Sequence, residues 1–161
     1  MTALQLAQIY QLQLERITAI IEGEISGTSV AQFPPSNIGT RLPVVVPMLT
    51  SDPNENRAHT VYDFDTTWRL YVYLKESGQG LEMVNSVDVY LYIGQFYQAF
   101  LSRRGLKYNN ANLPYARDSS IQLVSAMNDS QRYPPRGGQA LFWGCQFDLT
   151  IFTTNITLSS N

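Results

Sequence analysis

Few residues in this sequence could do chemistry, and their spacing decides what kind. Asp63 and Asp65 stand two apart, so on an extended strand both carboxylates share one face, the placement an acid and base pair or a metal ion would use. No further acidic residues cluster near them in sequence, so solvation, or contact with Arg69 or a neighbouring subunit, is the far better explanation. Asp148 is the third carboxylate that an enzyme of small polar substrates would draw on. His59 is the only histidine, which excludes a multi-histidine metal centre and leaves zinc without a second nitrogen ligand. Cys145 and His59 could in principle form a nucleophile and its base. Cys145, however, shares its parity with Trp143 and Phe147, where a buried, inert thiol is expected. Ser77-Gly78-Gln79-Gly80 precedes a helix as a phosphate loop would, yet lacks the Gly-Lys-Ser/Thr ending that contacts phosphate and magnesium. It reads as a connection. Arg103, Arg104, Lys107 and Arg117 form the basic cluster, and the first two compensate a helix C-terminus without any ligand. Asn155-Ile156-Thr157 matches the glycosylation pattern, which carries no weight without a secretion signal. No catalytic residue, cofactor or metal is expected.

Composition points the same way. The chain has 161 residues, the size of one domain, with 44% hydrophobic residues and only 15% charged ones. Soluble domains usually carry about a quarter charged residues. Here Gln, Asn, Thr, Ser and Tyr fill the gap, and such a surface is easily desolvated against a partner. A net charge of -2 lacks the electrostatic footprint of a protein that grips nucleic acid by its phosphates. Met1 to Tyr10 has no basic n-region and is not expected to be a signal peptide, and no apolar run is long enough to span a bilayer. A single cysteine fits folding in a reducing cytoplasm.

The elements that must position these residues follow from periodicity. Leu6, Ile9, Tyr10, Leu14, Ile17, Ile20 and Ile21 recur at helical spacing between Ala3 and Glu22. Arg41 to Leu49 is apolar but holds Pro43 and Pro47, so it should be a short, bulged or edge strand. Residues 51 to 60, with Asp52-Pro53-Asn54, read as a polar loop. From Val61 to Leu74 the chain alternates, with Phe64, Trp68, Leu70, Val72 and Leu74 of one parity and Asp63, Asp65, Arg69, Tyr71 and Tyr73 of the other. A second helix, about Glu82 to Arg103, carries a broad stripe of Val84, Val87, Leu91, Ile93, Phe96, Tyr97 and Phe100. Ser120 to Met127 is a short strand, and residues 128 to 139, with Tyr133-Pro134-Pro135-Arg136-Gly137-Gly138, are a second long loop. The last strand, Ala140 to Leu158, turns Leu141, Trp143, Cys145, Phe147, Leu149 and Ile151 to one side. This order implies a single α+β domain over 1–161, a four-stranded, mainly antiparallel sheet with two helices packed on one face. Trp68, Leu70, Val72, Trp143, Phe147 and Leu149 should lie beneath the helices. The opposite face should present Arg69, Tyr71, Tyr73, Gln146, Asp148, Thr150 and Phe152.

The same order resembles the tail terminator and tail-completion proteins of tailed bacteriophages over nearly the whole chain. The residues that carry the likeness are a proline-bearing strand, a long strand Trp68-Arg69-Leu70-Tyr71-Val72-Tyr73-Leu74, and a terminal strand Phe142-Trp143-Gly144-Cys145-Gln146-Phe147-Asp148-Leu149-Thr150-Ile151. The resemblance implies a non-enzymatic virion subunit, synthesised in the host cytoplasm, one of six in a ring at the head-tail junction. That ring would stop polymerisation of the tail tube and bind the tail tube protein and a neck or connector protein, with DNA passing through unread and no membrane involved. A head-tail connector of the same region, a small-ligand enzyme and a peptide-binding module are the alternatives. Exposed aromatics and Pro/Gly-rich loops put the expected interface at Asp63, Asp65, Arg69, Tyr71, Tyr73, Gln146, Asp148 and Phe152, with Asp52, Asn54, Tyr133 and Arg136 in the loops.

Overall fold

A computed structural model describes residues 3–32, 36–39, 41–51, 54–58, 61–77, 82–126, 131–135 and 137–157. At 3, 51, 54–58, 61–64, 82–86 and 154–157 it describes the backbone alone. The elements run α1 (Ala3–Glu24), β1 (Ser29–Val30), β2 (Val44–Ser51), β3 (Asn54–Ala58), β4 (Val61–Glu76), α2 (Glu82–Leu101), a 3₁₀ turn (Arg104–Leu106), β5 (Ala116–Ser125), β6 (Gln131–Tyr133) and β7 (Ala140–Thr157).

The sheet corrects the expected architecture. Among the described residues it has seven strands in the order β1-β2-β4-β7-β5, with β3 added to β4 and β6 to β7, and it is mixed because β1 runs parallel to β2. Four strands, mainly antiparallel, was too simple. The three additional strands are two, five and three residues long and lie in segments whose Gly, Pro, Asn and Asp content signals turns. Backbone hydrogen bonds hold them to a longer neighbour, and that pairing needs no apolar alternation. The two expected loops therefore contain structure: Asn54–Ala58 pairs with β4, and Gln131–Tyr133 pairs with β7.

Both helices contribute to one core. Ile17, Ile20 and Ile21 of α1 and Val89, Phe96, Ala99 and Phe100 of α2 join Trp68, Leu70, Val72, Trp143, Phe147 and Leu149, which are all buried as the alternation requires. Polar anchors fix α1 on this layer. The Trp68 indole donates to Gln13 Oε1 at 2.9 Å in a buried contact, and Arg16 donates to the carbonyls of Leu106 and Ala111, each at 2.7 Å.

A second, smaller core lies on the other side of the sheet. Ala31, Ile38, Val44, Val46, Tyr73, Tyr133 and Phe142 pack together there. Tyr73 is fully buried, its hydroxyl donating to the Arg132 carbonyl at 2.7 Å and its ring edge-on to Tyr133 and Phe142 at 5.4 and 5.5 Å. Tyr73 has the expected parity, but the outward face at this end of the sheet is roofed over by β6 and by the segment that leads into β2. Burial also pushes the Tyr73 phenol above its ordinary pKa.

Pro47 is accommodated by its direction. The Val45 carbonyl accepts from the Ala31 N–H on the β1 side, and Pro47, two residues on, points its nitrogen to the same edge beyond the end of β1. No bond to β4 is lost.

Candidate interaction surface

The expected interface residues divide into two groups. Along β4 and β7, Asp65 stands opposite Phe152, Thr67 opposite Thr150, Arg69 opposite Asp148 and Tyr71 opposite Gln146. The fold thus gathers Asp65, Arg69, Tyr71, Gln146, Asp148 and Phe152 as cross-strand neighbours on the face away from the helices, all half-buried. Arg69 grips Asp148 with two bonds, Nε to Oδ1 at 2.8 Å and Nη2 to Oδ2 at 3.0 Å. The pair strengthens the protonated state of the guanidinium. Its side chains retain 32% and 27% exposure, so solvent screening holds its contribution to about 1 kcal/mol or less. Beside it the Thr67 and Thr150 hydroxyls lie 3.1 Å apart. With its carboxylate committed to Arg69, Asp148 acts as a structural tie rather than a free base.

The rest are placed otherwise or fall where the structure does not describe the side chain. Tyr73 and Tyr133 are buried in the second core, which removes them from any interface; strand parity had placed Tyr73 outside and the Pro/Gly-rich loop had placed Tyr133 there. Asp63 is opposite Glu55 and Asn54 opposite Phe64 in the β3–β4 ladder, where the backbone alone is described. Asp52 and Arg136 lie outside the described residues, as do His59 and Gly78 to Gly80.

The reactive groups follow their surroundings. Cys145 is fully buried, and burial pushes its thiol up to about 12. Thiolate is the nucleophile, so Cys145 is inert at neutral pH. A disulfide reagent applied at pH 8 is expected to leave Cys145 unmodified in the native protein and to titrate one thiol in denaturant; rapid native labelling would contradict this burial. Among the described residues no three His, Cys, Asp or Glu side chains are placed to hold a metal ion. Among the described residues no helix is long and apolar enough to cross a membrane.

Three of the basic cluster, Arg103, Arg104 and Lys107, line a cleft of about 490 Å³ at the C-terminal ends of both helices, with Glu24, Tyr108, Asn109 and Asn110. Arg103 is fully employed in it, bonding Glu24 at 2.8 Å, donating to the Ala99 carbonyl at 2.6 Å and lying over the Tyr108 ring. Arg104 reaches Asp118 at 3.2 Å. The Ser119 N–H, and then Arg104, hold Asp118 below the usual carboxylate range. Arg103 thereby closes the end of α2, and Arg104 ties the 3₁₀ turn to β5.

Parts of two sheet edges are occupied. On β5 the Ser119 N–H donates to Asp118 Oδ1 at 2.9 Å and the Leu123 N–H to the Tyr97 hydroxyl at 3.0 Å. Side chains thereby occupy donors that would face an added strand, and Pro47 interrupts the open edge of β2. The faces of the molecule offer a partner surface too.

One such face was missed in sequence. Val87, Tyr90, Leu91 and Leu101 of α2 are 61%, 61%, 59% and 63% exposed. Val87 and Leu91 had been grouped with the core stripe, but they point away from it. At about 100° per residue Val87 sits opposite Phe96, so the supposed single stripe wraps most of the helix. A helix apolar all round has two faces to bury. That breadth was the available signal.

No protein-family model matches this chain, and no curated protein matches it.

Proposed function

We propose that this chain is a non-enzymatic structural subunit that assembles in the virion of a tailed bacteriophage, as a ring at the head-tail junction that ends tail-tube growth and joins the tail to the neck. The observation that carries the reading is the contrast between its reactive and its apolar side chains. Cys145 is sealed in the core, Asp148 is tied to Arg69 and Arg103 to Glu24, while large apolar residues stand exposed on the helix layer. Exposed apolar surface on a charge-poor chain is a feature of proteins that bury it in an assembly. The order of long strands and helices that resembles tail terminators gives the assembly its identity. In a ring, each copy would offer the polar β4–β7 face to its neighbour through a heterologous contact that closes on itself. The net charge of -2 suits a channel through which DNA slides without being gripped.

Negative-stain microscopy with light scattering, on the protein alone and mixed with purified tail tubes, tests this. Closed rings, in solution or on tube ends, are the expected result. A protein that forms no ring and leaves tube ends bare overturns the reading. The competing enzyme reading predicts that a variant with Asn at positions 63, 65 and 148 loses a catalytic activity yet assembles normally.

A further inference from the structure

We infer that the first half of α1, Leu4 to Leu12, is a strap that opens from the sheet while the rest of the fold stays closed. The inference does not rest on the virion reading. The two halves of α1 are held unequally. From Gln13 onward the helix is fixed by the Trp68 indole, by the Arg16 bonds to the Leu106 and Ala111 carbonyls, and by Ile17, Ile20 and Ile21 in the main core. From Leu4 to Leu12 only Ile9 is buried, in a satellite cluster with the partly buried Leu6 and Tyr10, and Leu4 and Leu12 are exposed. One buried isoleucine is a weak closing force against the entropy of ordering several helical turns.

The sheet beneath that half carries polar groups with nothing to bond. α1 runs antiparallel to β4: Gln13 meets Trp68, while Glu22 accepts from the N–H of Val30, which pairs with Val45 and through it reaches the level of Val72. Ile9 stands one helical turn before Gln13, and Thr66 one same-face step before Trp68, each a displacement of about 6–7 Å. Ile9 therefore comes to the level of Thr66. Thr66 pairs with Ile151 and Thr153 with Phe64, so the two threonines are diagonal neighbours across β4 and β7 on the helix-covered face. Both are buried, and neither hydroxyl has a hydrogen-bond partner among the described residues. A hydroxyl buried in this way regains water when the strap lifts, which favours the open state by about tenfold or more per group. Weak apolar closure above and two orphan hydroxyls below make this the seam at which the fold parts first.

Amide hydrogen exchange on the full chain reads the strap directly. The amides of Gln8 to Leu12 should exchange about tenfold faster, or more, than those of Ile17 to Ile21. Thr66→Val keeps the side-chain shape and removes the orphan hydroxyl, so it should slow exchange at Gln8 to Leu12 by about tenfold with an unchanged near-UV circular dichroism spectrum. Thr153→Val should act in the same direction. Ordinary fraying of a helix end would not respond to either change, because both lie in the sheet. Equal protection along α1 overturns the inference. So does exchange at Gln8 to Leu12 that both valine variants leave unchanged or speed up, since the hydroxyls would then be satisfied in the closed state.

Discussion

Replacing Gly144 by alanine is expected to destabilise the fold by about 3 kcal/mol or more, read as a fall in the urea midpoint at unchanged m-value. A Cβ built on Gly144 runs into the Val72 carbonyl oxygen and lies 2.8 Å from the Gln131 amide nitrogen and 3.0 Å from the Val72 carbonyl carbon. Two of the three obstacles are backbone, so no rotamer change relieves the clash. The crowding comes from an irregularity in the β4–β7 ladder. Tyr73 pairs with Gly144, but the next pair is Lys75 with Trp143, so β4 carries an extra residue at this point. The Gln131 side-chain amide, from β6, donates to the Val72 carbonyl there. Gln131 is buried, and its own oxygen has no partner among the described residues. Alanine would push the strands apart between the two cores, breaking that bond and the contacts on both faces. Gln131→Ala, which leaves the Val72 carbonyl buried and unpaired, should cost less, about 1–3 kcal/mol. Gly94→Ala makes the opposite control, since its Cβ enters open space and should stabilise the monomer by about 0.5–1 kcal/mol. A Gly144→Ala protein as stable as the parent would mean that the β4–β7 register is not as described.

That irregularity also marks where the sequence stops being readable. Alternation from Trp68 to Leu74 and from Trp143 to Ile151 assigns both faces of the central strands, because a buried face tolerates no slip of one residue. The short strands leave no such trace. Gln131–Tyr133 reads as loop beside its proline-rich neighbours, yet Gln131 satisfies the carbonyl exposed by the bulge and Tyr133 roofs Tyr73. What buries Tyr73 is the return of the chain over the outer face, a tertiary fact that two-residue periodicity cannot contain. The candidate surface was half legible for the same reason. Arg69 and Asp148 share the outward parity, and the register makes them direct partners. Which α2 residues would be left outside was decided by how little of that helix the sheet and α1 cover. Val87 and Phe96 are equally apolar, and only packing distinguishes them.

Phe147→Ala is the second change with a large expected effect, about 3–5 kcal/mol. Phe147 is fully buried at the centre of the sheet, opposite Leu70 on β4 and Leu123 on β5. Its ring stacks on Phe96 of α2 at 4.9 Å with a 12° interplanar angle and meets Tyr97 edge-on at 5.8 Å. It is therefore the side chain through which β7 holds α2. Truncation removes the buried apolar area and leaves a cavity whose walls belong to four long elements, so the site has little freedom to collapse. Tyr97 adds a second route for the damage. Its hydroxyl accepts the Leu123 N–H at the β5 edge, and a ring that tips into the cavity gives up that bond and reopens a donor to added strands. Phe147→Ala should then show aggregation on partial unfolding that Phe147→Leu, which keeps most of the volume, does not. Chemical denaturation with light scattering compares the two. Equal stabilities for alanine and leucine would mean that Phe147 is not the keystone between β7 and α2.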